Sequence, residues 1–166
     1  MILYTEAKIE TYQFLNDNLD RQLSWIDKSD IRLAFIAPLS LAMLASLASK
    51  TPVITEWSIA IWMWLLFSTF FLFLTLIFCV CATFPRTDGK KDSVVFFGEI
   101  IKKDIDTFAD EILIITEADV LKDLVYQIYI NAEIASIKYG WIQKSLFTLI
   151  LASVFWLFAI YTLWSI

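Results

Sequence analysis

The sequence holds no histidine, and only three glycines, three prolines and two cysteines. Without histidine there is no Ser-His-Asp or Cys-His nucleophilic site, no histidine-ligated zinc and no imidazole acid–base chemistry. So little glycine and proline leaves no room for collagen-like repeats, low-complexity stretches or a long disordered tail. Cys79 and Cys81 lie two positions apart inside an apolar run. On a helix they point about 200° apart, so they cannot pair with each other and are expected to pack as small hydrophobes. Charged residues are also scarce, at 19% against about 25% in a typical globular domain.

What is present is apolar. Hydrophobic residues make up 59% of the 166 positions, aromatics 16%, and the mean hydropathy is +0.68. Three runs carry no charge at all: 33–49, 57–84 and 145–166, of 17, 28 and 22 residues. A bilayer core needs roughly 17–25 helical residues, so each run is long enough to span it, the second with a tilt. The first holds Pro38, which a membrane helix tolerates when its neighbours satisfy the freed carbonyl. The expected fold is an all-α integral membrane protein. It has three transmembrane helices, a small cytoplasmic helical region and a long C-terminal helix continuous with the third span. The N-terminus, with neither a basic stretch nor an apolar one, reads as no signal peptide.

Basic residues set the expected orientation. Twelve of the thirteen fall before the first run or between the second and third, and only Lys50 lies between the first and second. The positive-inside rule then puts the N-terminus and 85–144 in the cytoplasm, as in a multi-pass protein of a bacterial inner membrane. Trp57, Tyr161 and Trp164 fall near the outer interface. The resulting division is a cytoplasmic amphipathic helix over 1–30, spans over 31–50, 57–84 and 145–166, a periplasmic loop over 51–56, and a cytoplasmic helical region over 85–144.

Within 1–30, Tyr12, Leu15, Leu19, Leu23 and Ile26 step by three or four, as on one helix face. Residues 85–91 read as a turn with a basic pair, and 94–98 as a strand or packed loop. A helix is expected over 106–115, and Thr116 with Asp119 forms a weak capping box that starts the last helix near Glu117. That helix has no stop before the third span. Leu121, Val125, Ile128, Ala132, Ala135, Tyr139, Ile142, Leu146 and Leu149 form one apolar stripe. Ile130, Ile134, Ile137 and Trp141 form a second. Two apolar sides call for cover on two sides, which favours a homo-oligomer.

Both candidate cytoplasmic pieces are net acidic, −2 through Arg32 and −3 over 85–144, with Lys50 and Glu56 cancelling within the total of −5. That balance argues against long nucleic acid as a partner, which needs a basic stripe. The carboxylates Asp104, Asp106, Asp110 and Glu111 come with no nucleophile, metal motif or phosphate-cradling loop, so no catalytic residue, metal site or enzyme activity is expected.

Four segments in order carry a family resemblance. They are 23–28, with Asp27 and Lys28 before the first span; Phe84, Pro85 and Arg86 after the second; Phe96, Phe97, Gly98, Glu99 and Ile100; and 127–139, from Gln127 to Lys138 and Tyr139. Together with the three-span layout, they resemble the transmembrane effectors of bacterial Pycsar anti-phage systems, from about residue 12 to the last span. Ser29 departs from the alanine expected there. The resemblance implies an effector without a cofactor. It would sense cCMP or cUMP from a partner cyclase, disrupt the inner membrane and abort infection. Region 85–144 would then be nucleotide-sensing.

Such a ligand needs a cation for its phosphate, amides for its base edge and a flat apolar face for stacking. Lys28, Arg86 and Lys138 are the matching cations. Gln127, Asn131 and Lys138 lie within about 40° of one another on a helix and form a polar rail. Tyr139, with Phe96, Phe97 and Tyr126, can supply a stacking face. Two other functions fit the same residues: a constitutive membrane adaptor or immunity protein that binds a protein partner, and an effector of the CBASS type gated by cyclic oligonucleotides.

Overall fold

Capping residues mark the starts of most of the later helices, and each uncharged run lies almost wholly within one of the three longest. The computed structural model describes residues 2–51 (backbone alone through residue 8), 58–84 and 91–164. Five helices and no strand occur among the described residues: α1 Ile2–Lys50, α2 Ile59–Thr83, α3 Phe97–Ile100, α4 Ile105–Ile114 and α5 Glu117–Trp164. Three of them, α1, α2 and α5, are long and apolar enough to cross a membrane. Arg86 and Trp57 lie outside the described residues.

Helix α1 continues through Pro38. Proline lacks its own N–H and frees the carbonyl four residues earlier, here at Ala34, a loss that a helix buried among other helices tolerates. The Ser58 hydroxyl accepts from the Ile61 N–H at 3.3 Å and starts α2. Thr116 caps α5 as expected, its hydroxyl accepting from the Asp119 N–H at 3.2 Å and donating to the Asp119 carboxylate at 2.5 Å. At 94–98 the backbone is a loop leading into the single turn of α3.

Helix α4 begins one residue earlier than expected, because Asp104 stands outside it as its cap. One Asp104 oxygen accepts from the Asp106 and Thr107 N–H groups, both at 3.0 Å, and the other accepts from the Thr107 hydroxyl at 2.6 Å. The Thr107 hydroxyl, then the backbone donors, hold the Asp104 carboxyl below its usual value. A depressed folded-state value means this stabilisation is complete above about pH 4 and is lost as pH falls through the folded value. Acidification from neutral pH should therefore fray the first turn of α4, and Asp104→Asn should flatten that response. Amide hydrogen exchange at Asp106 and Thr107 checks it.

The chain divides into two units: 1–28 with 85–136, and 29–84 with 137–166. The latter, the spanning unit, is a three-helix bundle whose core includes Leu33, Ile36, Met43, Leu65, Leu72, Ile142 and Leu149. Small residues let the backbones approach: Ser40, Ser68, Ala82, Ser145, Ala152 and Ala159 are all fully buried. Hydrogen bonds tie the helices, with Thr75 Oγ1 donating to Thr148 Oγ1 at 2.8 Å and Trp156 Nε1 donating to Ser46 Oγ at 3.0 Å and the Met43 carbonyl at 3.2 Å. Phe71 stacks on Phe155 at 5.5 Å and 6°. The outer faces are apolar too: Phe35, Leu66, Phe70, Val80, Phe147, Leu157 and Tyr161 are all more than half exposed. So broad an apolar surface suits lipid, not water. The protein is an integral membrane protein.

The other unit, called the first unit below, is differently built. Among its described residues the buried apolar side chains are Leu124 and Ala135, and Ser93, Asp123 and Gln127 are buried too. On the α1 stripe, Leu15, Leu19 and Ile26 are half-buried, but Tyr12 and Leu23 are exposed. The α5 stripe departs further from expectation. Of the first stripe, Ala135, Ile142 and Leu149 are buried but Val125 and Leu146 are exposed, as is Ile137 of the second, and the covered positions also take in Leu124, Gln127 and Ser145. The packing face includes polar positions that a purely apolar stripe skips.

Candidate functional site

Residues 93–97 are pinned to α5 by one buried carboxylate. A single oxygen of Asp123 accepts from the Ser93 hydroxyl at 2.8 Å and from the Val94 N–H at 2.9 Å. Ser93 Oγ in turn accepts from the Val95 N–H at 3.1 Å and the Phe96 N–H at 2.9 Å. Ser93 is 0% exposed and Asp123 2%. Asp92 has φ of 59°, a left-handed conformation that aspartate tolerates better than most residues. The Asp92 N–H donates to the Glu99 carboxylate at 3.3 Å, and Lys102 also bonds that carboxylate. These two bonds, Lys102 first, hold the Glu99 carboxyl below its usual range.

This anchored loop closes one side of a hollow of about 300 Å³, lined by Leu19, Leu23, Val95, Phe96, Phe97, Gln127, Ile130, Asn131 and Ile134. The volume is at the lower end of the roughly 300–1,000 Å³ usual for small-molecule sites. Phe96 and Phe97 stand 4.9 Å apart between centroids. Gly98 leaves room for the first of them, since a Cβ there would come within 2.6 Å of the Phe96 ring. Asn131 Nδ2 donates to the Gln127 carbonyl at 2.8 Å, and Gln127 Nε2 reaches Ser93 Oγ at 3.5 Å. No lysine or arginine lines the hollow among the described residues. Two aromatic rings, two amides and an apolar floor can take up a flat, polar-edged molecule.

The candidates therefore fall in different places. Gln127, Asn131, Phe96 and Phe97 share this hollow. Lys28, in the same unit, stands over the Trp25 ring at 5.0 Å. Lys138 and Tyr139 belong to the spanning unit. Lys138 Nζ donates to both oxygens of Asp30, at 2.6 and 2.9 Å, and lines a separate hollow of about 340 Å³ with Leu33, Ala34, Ala37, Cys79 and Thr83. Arg32 stands 5.2 Å from the Tyr139 ring centroid. Tyr126 is exposed. Sequence reasoning passed over Ser93 and Asp123. The signal available was faint: a serine just before an apolar run, and an aspartate four positions before Gln127, on the same face of a helix.

A family profile described as the Pycsar effector protein domain matches residues 14–165, nearly the whole chain. The chain belongs to the Pycsar effector family. Among curated proteins, it is similar to the Pycsar effector protein GmPycTM of Gulbenkiania mobilis, 32% identical over 71 residues. That stretch covers 43% of this chain and 36% of the relative, so the chain matches only about a third of the relative's length. No solved structure matches. The family match takes in all three apolar helices and the whole 93–134 hollow wall, so the hollow is part of this Pycsar domain.

Proposed function

We propose that this Pycsar family chain is a non-enzymatic anti-phage effector of the bacterial inner membrane. A partner cyclase supplies cCMP or cUMP, the nucleotide binds the first unit with its base in the Phe96–Gln127–Asn131 hollow, and the spanning unit then compromises the bilayer and aborts infection. The observation that carries this is the hollow itself: stacking rings and side-chain amides, the two requirements of a pyrimidine base, within a chain matched almost end to end by the family profile. Lys28 and Arg86 are the candidate phosphate partners, and Lys138, paired with Asp30, is a third. The orientation follows the basic residues, with the N-terminus and 85–144 in the cytoplasm, where the nucleotide is made.

The response is a shift between conformations, driven by the ligand's differential affinity for them. Helices α1 and α5 each contribute to both units, so a change in either helix is shared by both. The exposed Val125 and Tyr129 on α5 suit self-association of two or more chains, which would concentrate the membrane lesion.

Purified full-length protein titrated with cCMP and with cUMP tests this reading. A ligand at 100 times its Kd should stabilise by about 2.7 kcal/mol, a rise in Tm of several degrees. Dye should leak from vesicles carrying the protein only when that nucleotide is added. No shift with either nucleotide would favour an adaptor that binds a protein partner.

A further inference from the structure

We propose that Asp30 and Lys138 hold the headgroup of a membrane phospholipid, one that carries both a phosphate and a primary ammonium, as phosphatidylethanolamine does. The site lies wholly within the spanning unit and does not depend on nucleotide binding. It begins with a gap between three helices. Asp30, Leu33, Ala34 and Ala37 recur on α1 at the three- and four-residue steps of one helix face, and the two alanines are too short to fill the space beside them. Cys79 and Thr83, one turn apart, wall the gap from α2, and Lys138 walls it from α5, leaving about 340 Å³. The Thr83 hydroxyl donates to the Cys79 carbonyl at 2.9 Å. That leaves the charged pair, Asp30 and Lys138, as the main polar feature of the wall.

The pair keeps bonding capacity on both sides. Lys138 Nζ donates to the two Asp30 oxygens at 2.6 and 2.9 Å. An ammonium has three N–H donors, and a carboxylate accepts at about four positions. One N–H and further lone pairs are therefore unspent, and the Asp30 side chain is 49% exposed. The pair is net neutral, so a simple anion would be opposed by Asp30 and a simple cation by Lys138. A zwitterion satisfies both. Its phosphate takes the remaining Lys138 N–H, its ammonium takes the Asp30 oxygens, and the four charges alternate in sign around a ring.

Register supplies the rest of the ligand. Asp30 stands three residues before the uncharged run 33–49, about 4.5 Å along the helix. Leu33, Ala34, Ala37, Cys79 and Thr83 all lie inside uncharged runs. The hollow thus has a charged end and an apolar end, in the order a phospholipid presents them at the edge of the hydrocarbon. A lysine that only anchors a span stretches out to bulk headgroups, whereas the Lys138 side chain is 12% exposed. A cyclic pyrimidine nucleotide brings a phosphate but no ammonium and no acyl chain. Among headgroups, choline carries the same charges without an N–H for Asp30, and glycerol carries no cation.

The experiment adds dioleoyl lipids to the delipidated full chain in detergent and reads Kd from the rise in Tm. The probes are phosphatidylethanolamine, phosphatidylcholine and phosphatidylglycerol. One charge-assisted hydrogen bond separates the first from the other two, so its Kd should be about tenfold lower. Asp30→Asn, which keeps the shape of the side chain, should erase that preference, and Lys138→Met should weaken all three lipids. A purely structural ion pair would lower the lipid-free Tm of both variants and leave the preference as in the parent. Should Asp30→Asn fail to fold, the parent ranking decides: phosphatidylethanolamine first supports the site, and any other order overturns it. Equal affinity for the three lipids, or a preference that survives in Asp30→Asn, also overturns it. So does binding of cCMP or cUMP that is lost in Lys138→Met while lipid binding is kept, since the lysine then serves the nucleotide.

Discussion

Alanine in place of Asp123 is expected to destabilise the first unit by roughly 2–5 kcal/mol, because two buried donors lose their acceptor together. Asp123 is 2% exposed, and one of its oxygens takes both the Ser93 hydroxyl and the Val94 N–H. Each donor left without a partner costs about 1–3 kcal/mol, and water reaches neither easily when Ser93 is itself 0% exposed. The unit has little else to draw on, since Leu124 and Ala135 are its buried apolar residues among those described. The loop at 93–97 should come away from α5, taking Phe96 and Phe97 out of the hollow wall. Amide hydrogen exchange at Val94, Val95 and Phe96 should rise sharply, while α2 and the second half of α5 keep their protection. Asp123→Asn retains an oxygen for both donors but puts an amide nitrogen where the buried Oδ1 lies, so exchange should rise less than in Asp123→Ala. Unchanged protection at Val94 in Asp123→Ala would show that the carboxylate does not anchor the loop.

The same contrast explains what could be read before the fold was seen. Long uncharged runs announce membrane helices because nothing but a helix satisfies the backbone inside lipid. The three spans, the passage through Pro38 and the start of α5 at Glu117 were therefore all legible. So was the polar rail, since Gln127 and Asn131 lie one turn apart by helix geometry alone. The face to which the rail belonged was not. An apolar stripe through Val125 and Ile128 is the natural choice when burial is equated with hydrophobicity, yet the first unit covers Gln127 and exposes Val125. The reason is that its interior is organised by Asp123 and Ser93, a pair 30 residues apart, and no local pattern signals a hydrogen bond across that separation. Lys138 shows the same limit, for its partner Asp30 is 108 residues away. A cation that looked available to a ligand turns out to be held by a carboxylate, and only the packing of α1 against α5 within the spanning unit reveals it.

A charge in the middle of the last span should disable the protein from the opposite direction. Leu157 lies near the centre of the run 145–166 and is 63% exposed, beside Val154, Phe158 and Tyr161 on an outward apolar face of the spanning unit. Its neighbours Trp156 and Ala159 turn inward, Ala159 fully buried and Trp156 packed against the core. Leu157→Asp therefore leaves the bundle core untouched and acts only through what lies outside it. If that is hydrocarbon, the aspartate costs about 2.5–3.5 kcal/mol of insertion at the helix centre, enough to lower the equilibrium constant for insertion by roughly a hundredfold. Leu157→Ala at the same position keeps an apolar surface and should insert normally. Protease accessibility of the C-terminal end in the two variants, followed by leakage from cells that also make the proposed nucleotide, reads both effects at once. The aspartate variant should fail to insert its third span, although α1 and α2 still hold it in the membrane, and should cause no leakage, while the alanine variant should behave as the parent. Full insertion and full leakage in Leu157→Asp would mean that this face of α5 meets water or protein, and that the lesion in the bilayer is made without the third span touching lipid.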